Sequence, residues 1–257
     1  MPKTIHVGIF VPVYHREDKV IKSLQSLYDT QRGSGDYILE ISVAVGINGA
    51  RPSLLRYLEE EVRNEFTRRE WPYYTEKPMV NLGKPLIVNR MVEQLSTLQP
   101  LDYIVSYDSD MIARDKGWLL SIIDVFENYH GNQDIGAICP NQTGENCHVL
   151  TPNPVTIKWG QYHLVSRVGN EGVAGGVLVT SRSRWEQLGG YYAHRIYASD
   201  DGHYALACAQ NNLLMCVIKE VSVLHPHGDE PQYVEWKSKA TGDRLTEKER
   251  FGCDMSN

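Results

Sequence analysis

The feature that most restricts the fold is a regular alternation across the first half of the chain. Short β-branched apolar runs take turns with segments whose apolar residues recur every three or four positions. The run Ile5-His6-Val7-Gly8-Ile9-Phe10-Val11 predicts a strand, and Pro12 is expected to end it because proline brings no N–H to a central ladder. Val20, Ile21, Leu24, Leu27 and Tyr28 then mark an amphipathic helix, with Glu17 and Asp18 in the first turn, where the helix dipole favours negative charge. A second strand, Ile38 to Val45, is expected to close in a Gly46-Ile47-Asn48-Gly49 loop, followed by a helix through Leu54, Leu55, Leu58, Val62 and Phe66. Tyr73-Tyr74-Thr75 reads as a short strand. Asn81 to Pro85 opens a helix striped by Ile87, Val88, Met91, Val92, Leu95 and Leu98, with Pro85 suited to its first turn. A strand at Ile104-Val105 and a helix through Trp118, Leu119, Ile122, Ile123 and Phe126 complete the series. Such an order implies an α/β protein with parallel strands and right-handed helical crossovers.

The second half changes character. Ile135 to Ile138 predicts a strand, 140–154 a surface loop, and Val173 to Thr180 another strand. Arg184 to Leu188 predicts a short helix stopped by Gly189-Gly190, and Ser199-Asp200-Asp201 a cap for a helix through Ala209. Leu213 to Leu224 reads as one or two closing strands, and 234–240 as a helical segment. For 257 residues, 42% of them hydrophobic and 23% charged, one large α/β domain is the simplest organisation. The five cysteines include no Cys-x-x-Cys pair, which argues against a disulfide framework and a thiolate zinc site. A net charge of −6 disfavours nucleic-acid attraction by overall field, and Arg63, Arg68 and Arg69 are interleaved with glutamates as on a solvated helix face. No apolar run approaches the roughly 18 residues of a membrane span, and the opening lacks a secretory pattern, so a cytoplasmic protein with no integral membrane segment is expected.

Chemistry enters where the Ile104-Val105 run breaks into Asp108-Ser109-Asp110. In open α/β sheets ligands bind beyond the carboxyl ends of the strands, and carboxylates there suit a hard divalent cation carrying phosphates. Acids in a turn or helix cap are the plainer alternative. His225 and His227, two residues apart, fall on one side of an extended segment, and imidazole suits Mn²⁺ better than Mg²⁺. Asp200 and Asp201 fit the first turn of a helix, where the dipole keeps them ionised, a geometry that serves stability as well as catalysis.

Several segments, in order, resemble the family-two glycosyltransferases of the GT-A fold. Phe10 to Glu17 is similar to that family's opening strand and nucleotide loop, with His15 where Asn is common. Asn81-Leu82-Gly83-Lys84 with Asn89 is similar to its Asn-x-Gly segment and later Asn, and Asp108-Ser109-Asp110 to its Asp-x-Asp. Gly175-Gly176, Arg182, Trp185 and Leu188 to Tyr191 are similar to its acceptor-side strand and helix, Asp200-Asp201 to its acidic pair, and His225 and His227 to its late metal-binding histidine. Where many relatives end the second strand in Asp-Asp-Gly-Ser, this chain has Gly46-Ile47-Asn48-Gly49, which leaves the base less defined, although an Asn48 amide can pair with a uracil edge.

The resemblance implies a single GT-A (nucleotide-diphospho-sugar transferase) domain, a Rossmann-like, mostly parallel sheet merging with a smaller mixed sheet. Residues 1–110 would bind a nucleotide sugar, UDP-linked by expectation, and 111–257 the acceptor. It implies a metal-dependent transferase acting with inversion. Asp201 would be the base beside Asp200, and Asp108, Asp110, His225 and His227 the ligands for Mn²⁺ or Mg²⁺. Pro12, Tyr14, Arg16, Asn48, Asn81, Lys84, Asn89, Asp108 and Ser109 would line the donor, and Gly175, Gly176, Trp185 and Tyr191 the acceptor. Tyr192 would join that aromatic platform, and Trp159 and Tyr162 an acceptor loop. Retention is the alternative stereochemistry. A nucleotidylyltransferase would need a glycine-rich basic loop where Pro12-Val13-Tyr14-His15 stands, and a non-catalytic nucleotide-sugar-binding module is the third reading. The residues do not choose among a glycan, a protein, a small metabolite and a modified nucleic-acid base as acceptor.

Overall fold

The computed structural model describes residues 2–144, 154–166, 175–194, 196, 200–226, 235 and 239. Ten strands form one sheet in the order β3-β2-β1-β4-β9-β6-β10-β8-β7, with β5 also paired to β10. Its first four strands, β1 (Lys3–Tyr14), β2 (Tyr37–Gly49), β3 (Tyr73–Glu76) and β4 (Tyr103–Tyr107), run parallel. β9 (Val177–Ser181) runs against both β4 and β6 (Ile135–Gly144), and β10 (Leu214–His225) runs parallel to β6. β5 (Ile112–Ala113), β8 (Tyr162–Ser166) and then β7 (Val155–Trp159) add antiparallel pairings. This is a mixed α/β fold of the expected class.

Pro12 does not end β1. The backbone groups of even-numbered residues face β4, as shown by the Asp102 N–H donating to the His6 carbonyl, and pairing with β4 stops at Phe10. The missing N–H of Pro12 therefore points where no ladder continues, and pairing with β2 carries on to Tyr14. For the same reason Gly46 to Gly49 belongs to β2 rather than to a loop.

Side chains alternate across the sheet. Ile5, Val7, Ile9 and Val11 pack on one face with α1 (Glu17–Leu27) and α5 (Trp118–Asn128). Phe10, Ala44 and Ile104 pack on the other with α4 (Gly83–Leu98), α6 (Arg182–Leu188) and α7 (Asp200–Gln210). The second predicted helix is three joined pieces on the first face: α2 (Pro52–Tyr57), a π-helical stretch (Leu58–Val62) and α3 (Arg63–Arg68). Its buried residues Leu54, Leu58, Val62 and Phe66 are four apart. On an ideal α-helix that spacing drifts by about 40° per step, and the wider π turn winds the stripe back. Leu98, expected on the buried stripe of α4, is the last residue of that helix and is 57% exposed.

The second half departs further from expectation. The segment read as a loop from Pro140 continues β6 as far as Gly144, and 145–153 lie outside the described residues. Trp159 and Tyr162 are not in a loop but flank the β7–β8 turn, their rings stacked at 6.0 Å. Ser199 and nearly all of 234–240 fall outside the described residues. Among those described, no helix is long and apolar enough to cross a membrane.

Candidate active site

Strand direction gathers the chemistry. β1, β2, β4, β6 and β10 all point the same way, so Arg16, Asn48, Asp108–Asp110, Gln142 and His225 emerge at one edge, where the antiparallel β9 begins after Gly175-Gly176. The Asp108 N–H donates to the Gly176 carbonyl at 2.8 Å, fixing the acidic turn to β9. A side chain at Gly176 would have its Cβ 1.6 Å from the Met111 methyl and 3.0 Å from Gln142 Oε1, so the Met111 side chain would have to shift. An irregularity between Ile218 and Ser222 lets β10 pair with β8 before it and β5 after it, carrying His225 towards Asp110.

Asp110 sits in a cationic corner. Its Oδ2 lies 2.7 Å from Arg16 Nη1 and 3.1 Å from His225 Nε2, while His225 Nδ1 is 3.4 Å from the Gln142 amide nitrogen. Burial would raise the Asp110 pKa, but the His225 hydrogen bond and the charges of His225, Arg16 and Lys19 outweigh it and hold it at about 2. His15 and Arg16 occupy the left-handed region at φ 53° and 57°, a backbone cost of order 1–3 kcal/mol each. That conformation is one asparagine tolerates, which gives a physical reason for an Asn at the position of His15 in similar loops. Arg16 also closes the first turn of α1, its carbonyl accepting from the Lys19 and Val20 N–H groups.

Asp108, two residues away, faces a different partner. Lys84 Nζ lies 2.8 Å from Asp108 Oδ1, 2.8 Å from Asp200 Oδ2 and 2.9 Å from the Gly175 carbonyl, with the Tyr191 ring centroid at 5.7 Å. Burial pushes the Asp108 carboxyl up to about 7, against the pull of Lys84, and the neighbouring acids Asp110 and Asp200 add to the rise. Burial opposes the ammonium, but Asp108 and Asp200 outweigh it and hold Lys84 charged, well above its usual range. Asp201, next in sequence, takes the Gly175 N–H on Oδ2 at 3.0 Å and the Gly202 N–H on Oδ1 at 2.8 Å. A Cβ at Gly175 would be 2.5 Å from that of Asp201. Both acids are thus held in the first turn of α7.

Other expected donor residues also make contacts within the fold. The Asn48 amide oxygen accepts the Leu82 N–H at 3.1 Å, and that of Asn81 the Gly83 N–H at 2.9 Å. The Asn89 side chain both donates to and accepts from the Tyr191 backbone, at 2.8 and 3.0 Å, so its two polar ends tie α4 to the turn after α6. Pro12 is buried within β1; Tyr14 hydrogen-bonds Asn81 and stands against Gly49, and Ser109 occupies the turn between the two acids. Trp185 and Tyr191 do not form an acceptor platform. They are 6% and 2% exposed and pack with Tyr204 at centroid distances of 5.1 to 5.9 Å, because large rings at this level complete the second core. The exposed ring is Tyr192, which meets His194 at 4.6 Å and His203 at 5.0 Å. His227 lies outside the described residues. Gln142, hidden in a stretch that reads as loop, and the Arg16–Asp110 pair, joined across 94 positions, carry no local sequence signal.

The donor set fits a divalent cation of the Mn²⁺ or Mg²⁺ type. Oxygen and imidazole nitrogen 3.1 Å apart match two adjacent ligands at about 2.1 Å each, which stand roughly 3 Å from one another. Among the described residues no group of three or more His, Cys, Asp or Glu side chains converges on one point, so further ligands would have to come from substrate oxygens and water.

By sequence, no family model and no curated protein matches the chain. By structure, it is similar to S. aureus TarS in complex with UDP-GlcNAc, with a TM-score of 0.66 and 11% identity over 96% of this chain and 64% of that one. It is also similar to the mannosyltransferase PcManGT from Pyrobaculum calidifontis in complex with GDP-Man and Mn²⁺, with a TM-score of 0.61 and 17% identity over 90% and 59%. GalNAc-T7 with UDP, GalNAc and Mn²⁺ gives a TM-score of 0.58 and 10% identity over 88% and 44%. This chain spans less than two-thirds of the length of each. The fold is that of the GT-A glycosyltransferases.

Proposed function

We propose that this chain is a glycosyltransferase that moves a sugar from a UDP-linked donor to an acceptor hydroxyl, with a divalent cation and with inversion. The observation that carries this reading is the meeting of Asp110 and His225 at 3.1 Å, on the sheet edge that also holds Asp108, Asp200 and Asp201. The solved structures with UDP-GlcNAc, or with GDP-Man and Mn²⁺, support it at the level of the fold.

Asp110 and His225 would hold the cation, which when bound supplies positive charge to the diphosphate that departs. Residues 1–110 would bind the donor and 111–257 the acceptor. Asp201, oriented by two backbone N–H groups, receives the proton of the acceptor hydroxyl. Lys84 fixes Asp200 beside it and joins the two halves through Asp108.

The test is incubation with radiolabelled UDP-sugars and Mn²⁺. Slow donor hydrolysis that Asp110→Ala abolishes supports the transferase, and saturable binding without turnover overturns it in favour of a binding module. NMR of the product anomer tests inversion separately, since a retained configuration overturns that part alone.

A further inference from the structure

Arg16 and a divalent cation would need the same oxygen. Arg16 Nη1 lies 2.7 Å from Asp110 Oδ2, the atom that His225 Nε2 also meets. The pair is well enclosed, with side chains 9% and 14% exposed. A guanidinium keeps its charge at any working pH, so it repels an incoming cation as well as occupying its ligand. Yet the arginine has somewhere to go. Its planar fork matches diphosphate oxygens as well as carboxylate, and its backbone is anchored at the start of α1.

We infer that Arg16 is a resident counter-cation: it holds Asp110 until a nucleoside diphosphate draws the guanidinium away, which makes cation uptake depend on nucleotide. Resting on the cation and donor reading above, this adds an order of events and a residue that enforces it. By linkage the coupling is reciprocal, so the cation strengthens nucleotide binding by the same factor.

Mn²⁺ titration followed by electron paramagnetic resonance, with and without UDP, tests this on the whole chain. Wild type is expected to bind Mn²⁺ weakly alone and much more tightly with UDP. Arg16→Asn, neutral and tolerant of the left-handed backbone, should bind Mn²⁺ alone roughly tenfold more tightly than wild type, about the worth of one charge-assisted hydrogen bond. The enhancement by UDP should shrink in the variant. Wild-type uptake with UDP, together with unchanged or weaker nucleotide-free affinity in Arg16→Asn, overturns this inference alone. No uptake by wild type in either condition overturns the cation reading and the inference with it. Should Arg16→Asn fail to fold by circular dichroism, Arg16→Gln carries the same titration and the same outcomes.

Discussion

Asp108 and Asp110 are one residue apart in sequence and live in opposite surroundings. Asp110 has a guanidinium and an imidazole on a single oxygen, and its carboxyl is held at about 2. Asp108 shares one ammonium with Asp200, and its carboxyl is pushed up to about 7. An alternating pair of acids is therefore not a symmetric clamp. The turn that follows β4 sends the two side chains to different neighbours, one towards Arg16 and His225, the other towards Lys84 on α4. Asp110 is held as an anion beside Arg16 and His225, and Asp108 is tied through Lys84 to Asp200.

The sharpest way to break this contrast is to remove the ammonium. Lys84→Met leaves Asp108 and Asp200 without their shared partner, and removing one side of a buried pair costs about 3–5 kcal/mol. Urea unfolding at pH 7 should show a loss of that order, and a loss below about 1 kcal/mol would mean that the joint is solvated. Next comes Asp110→Asn in metal-free protein. A folded pKa of about 2 against a usual 3.8 contributes stability above pH 4 that is lost as pH falls towards 2, so the variant should be about 2 kcal/mol less stable at neutral pH. The difference should fade below pH 4 in denaturant curves.

Asp108→Asn should act with the opposite sign. A carboxyl whose folded pKa is raised costs stability as pH climbs from about 4 through 7, so removing it should match wild type near pH 4 and gain about 1 kcal/mol at pH 8. The Asp108 side chain is 31% exposed, and screening by solvent keeps the gain small. A loss at pH 8 would make the two acids equivalent after all. The smallest effect expected concerns the thiols. Cys139 is buried and within electrostatic reach of Lys84 and Asp201, and burial pushes Cys208 and Cys216 up to about 12. Alkylation of native protein at pH 8, read by peptide mass spectrometry, should leave these three unlabelled until unfolding. Rapid native labelling of Cys139 would show water reaching the Asp108 side.

The strands, helices and acidic turn of the first half were readable because periodicity and turn chemistry are local. A strand of β-branched residues or a four-spaced apolar stripe announces itself within a dozen positions. Errors gathered where a local rule met a non-local answer. Pro12 reads as a stop until one sees that its nitrogen faces the unpaired side, and 140–144 reads as loop until β10 is beside it. Trp185 and Tyr191 look like a sugar platform because the sequence does not say which face of the sheet they cover.

Residue pattern alone was enough for the α/β class, the order of elements as far as β4 and the resemblance that carries the Asp108–Asp110 and Asp200–Asp201 positions. Which partner each acid keeps was a matter for the assembled chain. Arg16 reaches Asp110 across 94 positions and His225 reaches it across 115. Such pairings depend on five strands pointing the same way and on an irregularity in β10, and the charge state of a carboxylate depends on the burial and neighbours that result.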